Sequence, residues 1–142
     1  MQEIETILKN SKTIAMIGVS SLKEKEDRTN LKRKPSTIVM KYMQDFGYKV
    51  IPVNPFAVGE IIHGEKVVAK LSDINEKIDI VNVFRPSKET PSIAEDAAKI
   101  NAKVLWLQYG IKNDAAEKIA NEAKIKYISN LSLTHISEPT RR

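Results

Sequence analysis

Four short segments of this chain combine residue types suited to a phosphate- or amide-bearing ligand, and each directly follows an apolar run. They are Gly18-Val19-Ser20-Ser21, Val53-Asn54-Pro55, Phe84-Arg85-Pro86 and Gln108-Tyr109-Gly110. Glycine lets a ligand come close to the backbone. The Asn and Gln amides each carry donors and an acceptor, and arginine offers a planar fork that matches phosphate. Pro35-Ser36 opens an apolar-striped segment, where the free N–H groups of a helix start favour an anion. Ser36 is equally suited to plain N-capping, and the two roles can coexist.

Gly18 admits two readings: it permits a tight strand exit, or it lets a pyrophosphate approach the backbone. A dinucleotide fingerprint would run G-x-G-x-x-G straight into a helix. Here one glycine is followed by a long charged insertion. Between Lys23 and Lys34 that insertion holds Lys23, Lys25, Arg28, Lys32, Arg33 and Lys34 against Glu24, Glu26 and Asp27. It therefore carries much of the net charge of +5, either as a solvated loop or as a partner for an anion.

Other chemistries are poorly served. There is no cysteine, which removes disulfides, thiolate zinc sites and thiol nucleophiles. The two histidines, His63 and His135, have no convergent carboxylate set around them, so no metal site is expected. Asp79 opens a strand at the edge opposite the candidate ligand, and no nucleophile–base pair is readable, so no catalytic residue is assigned.

The elements that must position these residues follow from hydrophobic periodicity. A short helix is predicted over residues 2–10, through Ile4, Ile7 and Leu8. Strands are predicted at Thr13–Val19, Tyr48–Val53, Asp79–Phe84, Lys103–Leu107 and Lys126–Ser129, with a short one at Glu65–Val68 and a helical turn at Leu71–Ile74. Helices fall between them: Pro35 to Phe46, ended by Gly47; Ser87, as N-cap, to about Asn101; and Asn113, as N-cap, to about Lys124. Continuous apolar strands alternating with amphipathic helices predict a single α/β, Rossmann-like, doubly wound domain with a mainly parallel sheet of five or six strands. In such a sheet the ligand crevice lies beyond the carboxyl ends of the strands, where strand order reverses. All four segments stand at that edge.

Composition agrees with one domain. The chain has 142 residues, 42% apolar and 29% charged, ordinary for a globular protein. No window reaches the ~18–20 apolar residues of a membrane span, and the acidic start Met1-Gln2-Glu3-Ile4-Glu5 is not a signal peptide. A cytoplasmic location is the resulting expectation.

The ordered series Ile17-Gly18-Val19-Ser20, Lys34-Pro35-Ser36, Val50-Ile51-Pro52-Val53-Asn54-Pro55, Val83-Phe84-Arg85 and Trp106-Leu107-Gln108-Tyr109-Gly110 resembles a known family. It is that of small bacterial coenzyme A-binding proteins related to the N-terminal domain of the succinyl-CoA synthetase alpha subunit. The resemblance spans roughly Ser11 to Asn130. It implies coenzyme A as cofactor, with Gly18, Val19 and Ser20 at the phosphates and Pro35-Ser36 at the helix-end contact. Val53, Asn54 and Pro55 would line the nucleotide or pantetheine path, and Phe84, Arg85, Gln108 and Gly110 would complete the wall. Coenzyme A bears a pyrophosphate and a ribose 3′-phosphate, for which Arg28, Lys32 and Lys34 are placed.

The expected function is therefore binding of coenzyme A or an acyl-CoA without chemistry of its own, since in the synthetase relatives catalytic groups come from further domains. A protein partner or homo-oligomer is compatible with this. The alternative is a small NAD(P)-dependent oxidoreductase. It is opposed by the lone glycine and by Val53-Asn54-Pro55 where an acidic residue would end the second strand. Nucleic-acid binding ranks last, because the basic loop lacks interleaved aromatics. Residues 1–130 are taken as the binding domain. The segment from Leu131 to Arg142 has no periodicity and lacks the Arg- and Cys-containing motif with which such families continue. It is expected to be a disordered, non-native tail, such as adapter read-through.

Overall fold

Five parallel strands in the order β2-β1-β5-β6-β7 form the sheet of the computed structural model, which describes residues 2–19, 35–108 and 111–129. The strands are β1 (Thr13–Ile17), β2 (Lys49–Val53), β5 (Ile80–Val83), β6 (Val104–Leu107) and β7 (Lys126–Ile128). A separate antiparallel hairpin joins β3 (Ile61–Ile62) to β4 (Glu65–Lys66). The helices are α1 (Gln2–Asn10), α2 (Pro35–Asp45), α3 (Thr90–Lys99) and α4 (Asp114–Glu122).

The chain moves outward from β1 to β2, then returns across β1 to β5 and continues to β6 and β7. Strand order thus reverses beside β1, as the doubly wound pattern predicts. Strand side chains alternate between faces. One set, including Ile14, Met16, Ile80 and Trp106, packs with Leu8 of α1 and with Val39, Met40 and Met43 of α2. The other, including Ala15, Ile51, Val81 and Leu105, packs with Ile93, Ala94 and Ala97 of α3 and with Ala116 and Ala120 of α4. α3 and α4 pack against each other, and α4 also packs against β7. No helix among the described residues is long and apolar enough to cross a membrane.

Helix ends follow local chemistry. Asn113 Oδ1 accepts the Ala116 N–H at 3.0 Å and caps α4, and Gly47, at φ +97, ends α2. Ser87 does not cap α3. A 3₁₀ turn over Ser87–Glu89 precedes the helix, and the Ser87 hydroxyl accepts the Lys112 N–H at 3.3 Å instead. The hairpin was not foreseen as such. Its two-residue turn, His63-Gly64, has both φ positive, 49° and 85°, the geometry that matches strand twist. Histidine is a weak signal for it. His63 Nε2 lies 3.1 Å from the Thr37 carbonyl oxygen, and Gln44 Nε2 donates to the His63 carbonyl, which ties the hairpin to α2.

At the amino edge Asp79 is a structural latch. Its Oδ2 accepts the N–H groups of Lys12 at 2.8 Å and Thr13 at 3.2 Å, and Lys103 Nζ lies 3.6 Å from Oδ1. Burial pushes the carboxyl up, but these donors together with the ammonium outweigh it and hold the group below the ordinary aspartate range.

Candidate functional site

Hydrogen bonding continues one residue beyond the ends of the strands on both sides of β1. The Gly18 N–H donates to the Val53 carbonyl at 2.9 Å, and the Phe84 N–H donates to the Ile17 carbonyl at 2.8 Å. The exits of β2, β1 and β5 are therefore held at one level, beside the point of strand-order reversal. Past β4, Val68 forms a parallel bridge with Val53. Its N–H donates to Pro52, and its carbonyl accepts from Asn54. This brings Ala69, Lys70 and Leu71 alongside the β2 exit.

A cavity of about 230 Å³ opens there on the α3 side of the sheet. Its apolar wall is Ile17, Val53, Leu71 and Ile93, with Pro55 and Phe56 toward the rim. Its polar groups are Asn54, Lys70, Arg85, Glu89 and Asp96. The volume is below the ~300–1,000 Å³ of a pocket that encloses a whole drug-sized ligand, so it accommodates one portion of a larger molecule.

Arg85 and Glu89 form a two-pronged pair at this cavity: Nε to Oε1 at 2.9 Å and Nη2 to Oε2 at 2.7 Å. Hydrogen bonding to Glu89 raises the Arg85 pKa further, and the guanidinium in turn holds the Glu89 carboxyl below its ordinary range. The side chains are 42% and 39% exposed. An exposed pair of this kind contributes at most ~1 kcal/mol, so an anionic ligand can engage or displace it. Nη1 of Arg85 has no partner among the described residues.

Gly18 is placed by shape. Its φ is +90, and an added Cβ would stand 2.7 Å from the Phe84 carbonyl oxygen and 2.8 Å from Arg85 Cδ. Asn54 is placed by hydrogen bonding: Oδ1 accepts the Phe56 N–H at 2.8 Å, and Nδ2 donates to the Val19 carbonyl at 2.9 Å. The amide thus fastens the β2 exit to the β1 exit.

Of the residues singled out from sequence, Gly18, Val53, Asn54, Pro55 and Arg85 meet at the cavity. Val19 and Phe84 pack on the opposite face, with the α1 and α2 cluster. Gln108 follows Trp106 by two residues and is 4% exposed. Its Nε2 donates to Asn82 Oδ1 at 2.6 Å. Asn82 is fully buried, and its Nδ2 has no partner among the described residues. Pro35 and Ser36 lie in the first turn of α2. Ser20, Arg28, Lys34 and Gly110 lie outside the described residues, as do Lys32 and the segment 131–142. Sequence reading missed Phe56, Lys70, Leu71, Glu89, Ile93 and Asp96. Of these, only Glu89, four residues after Arg85 at helical spacing, carried a local signal. Among the described residues no group of three or more metal-ligating side chains occurs.

Comparison with known proteins finds relatives of this chain. The family model described as "CoA binding domain" matches residues 12–137. The "Uncharacterized protein YneT" of Bacillus subtilis (strain 168) is 41% identical over 131 residues, covering 92% of this chain and 89% of that one. The solved structure of cell-free ID.343 from Thermus thermophilus is 34% identical with a TM-score of 0.82, over 94% of this chain and 93% of that one. A hypothetical protein from Pyrococcus horikoshii OT3 is 36% identical with a TM-score of 0.81, over 94% and 87%.

Proposed function

The chain belongs to the CoA binding domain family, and from that premise we propose that it binds coenzyme A or an acyl-CoA at the carboxyl edge of its sheet, without chemistry of its own. The observation that carries this reading is the position of Arg85. Its side chain passes Gly18 at Cδ and lines the cavity beside the point, next to β1, where strand order reverses.

Coenzyme A is favoured over NAD by the residue that ends β2. An acidic side chain there would accept the ribose hydroxyls of NAD. Asn54 instead brings no charge to repel a ribose phosphate, and its amide is engaged in joining two loops. The backbone at Val19 and Ser20 would meet the phosphates beside Gly18, with the first turn of α2 at Pro35-Ser36 adding N–H groups from Ser36 onward, since Pro35 has none. Arg28 and Lys34 would answer the ribose phosphate. Phe84, Gln108 and Gly110 would border the ligand on the other side of the edge, with residues 1–130 as the binding unit in the cytoplasm. The titratable groups at the cavity are Lys70, Arg85, Glu89 and Asp96. In this reading they bind and orient the ligand, and holding or presenting it is the role.

Thermal unfolding in the presence of coenzyme A, acetyl-CoA, NAD, NADP and ATP tests the proposal. Stabilisation by the CoA species alone is expected, growing with concentration and reaching about 2.7 kcal/mol at a hundredfold excess over Kd. Stabilisation by NAD or NADP without any by coenzyme A would make the chain a nicotinamide-nucleotide protein instead.

A further inference from the structure

We infer that Glu89 is a selectivity residue that occupies the Arg85 fork as a built-in competitor. Small free anions are turned away, and only a phosphate held by the rest of a larger ligand takes its place. This rests on the coenzyme A reading above and assigns the residue that sets what the arginine will accept.

The two-pronged contact uses Nε and Nη2 of Arg85, at 2.9 and 2.7 Å. A guanidinium offers two forks to an oxyanion: Nε with one terminal nitrogen, and the two terminal nitrogens together. Nη2 belongs to both. A phosphate on the first fork must expel the carboxylate, and one on the second must share Nη2 with Glu89 Oε2. Sharing sets two anions side by side, and their repulsion opposes it. Either way Glu89 weakens the hold of Arg85 on an isolated anion. The hydrogen bond from Arg85 also holds the Glu89 carboxyl below its ordinary range, so the competitor is ionised at neutral pH.

The carboxylate is aimed by its backbone. Glu89 ends the 3₁₀ turn Ser87–Glu89, and its N–H donates to the Pro86 carbonyl at 2.9 Å. The Ser87 carbonyl accepts Thr90 Oγ1 at 2.7 Å and Asn113 Nδ2 at 2.8 Å. The turn is thereby tied to α3 and to the cap of α4. Glu89 stands at the N-cap of α3, yet its side chain makes no capping hydrogen bond. A carboxylate at a helix start is ordinarily drawn to the free N–H groups of the first turn. This one is turned to Arg85 instead. With the two side chains 42% and 39% exposed, the pair adds little to stability. Lys70, Arg85, Glu89 and Asp96 line one cavity, two cations against two carboxylates, which leaves no net charge there to attract a free anion.

Thermal unfolding with inorganic phosphate, and titration calorimetry with coenzyme A, test this on the full chain. Glu89→Gln keeps the length of the side chain and removes its charge, and its midpoint without ligand is expected near wild type. Inorganic phosphate, compared with chloride at equal ionic strength, should raise the midpoint of Glu89→Gln and leave wild type unmoved. Affinity of Glu89→Gln for coenzyme A should rise about fivefold, the scale of one exposed ion pair. Glu89→Asp, one methylene shorter, withdraws the carboxylate from the fork and should fall between the two. It carries the test if the glutamine variant does not fold. An identical response of wild type and variant to phosphate, or equal affinity for coenzyme A, overturns the inference and leaves the coenzyme A reading standing. A fall in coenzyme A affinity also overturns it, since Glu89 would then aim Arg85 and not compete for it. If neither protein binds coenzyme A, that reading falls and the inference with it.

Discussion

Arg85 crosses directly over Gly18, so that an added Cβ on residue 18 would stand 2.8 Å from Arg85 Cδ. The same Cβ would stand 2.7 Å from the Phe84 carbonyl oxygen, at a φ of +90. The glycine thus serves the chain's own backbone packing at the place where its sequence position suggested room for a pyrophosphate. A strand exit this tight is what lets the β5 exit pack against the β1 exit.

Gly18→Ala should destabilise the protein by about 1–3 kcal/mol, from the positive φ and the clash with a backbone oxygen that cannot swing away. Urea unfolding reads this directly. An unchanged midpoint and slope would show that the β5 exit shifts at no cost.

Arg85→Ala should leave stability near wild type, since the side chain is 42% exposed and its pair with Glu89 is screened by solvent. Affinity for coenzyme A should fall about tenfold or more, the scale of a lost charge-assisted hydrogen bond. Arg85→Lys should recover little of it, because a point charge does not reproduce the fork. Calorimetry on the three proteins checks both statements.

Asp79→Ala should cost about 1–3 kcal/mol at neutral pH by stranding the Lys12 and Thr13 N–H groups. The folded-state pKa of Asp79 is depressed. Its contribution is therefore fully present above the unfolded value, near pH ~4, and is lost as pH falls through the lower folded value. The gap in stability between wild type and variant should narrow across that acid window and stay constant above it. A gap that persisted at the acid end would show that the carboxylate's charge is irrelevant to the latch.

The Asn82–Gln108 pair should show strong non-additivity. Gln108→Met removes the donor to Asn82 Oδ1 and leaves a second buried polar atom unmet beside Nδ2, so a loss of about 1–3 kcal/mol is expected. In the double variant Asn82→Leu with Gln108→Met, both partners become apolar, and much of that loss should return. A double-variant cycle by denaturant unfolding measures it; simple addition of two losses would contradict the account.

The alternation of buried strands with amphipathic helices was legible residue by residue. Thr13–Ile17, Ile80–Val83 and Val104–Leu107 are largely apolar and buried on both faces because helices cover both. Asn113 and Gly47 announced their helix ends because capping is local chemistry. The edge at which the strands exit together was legible too, since parallel strands all end on one side. Which exit residues share a cavity was decided only by the tertiary structure. Gln108 follows Trp106 at a period of two, so its amide turns to Asn82 and the α1/α2 face, away from Arg85. Leu71, Ile93 and Asp96 reach Gly18 from a 3₁₀ turn and a helix far along the chain, through strand order and the Val53–Val68 bridge. Periodicity along a chain records what each residue faces, inward or outward. It does not record which distant segment stands opposite, and the cavity is made of such pairings.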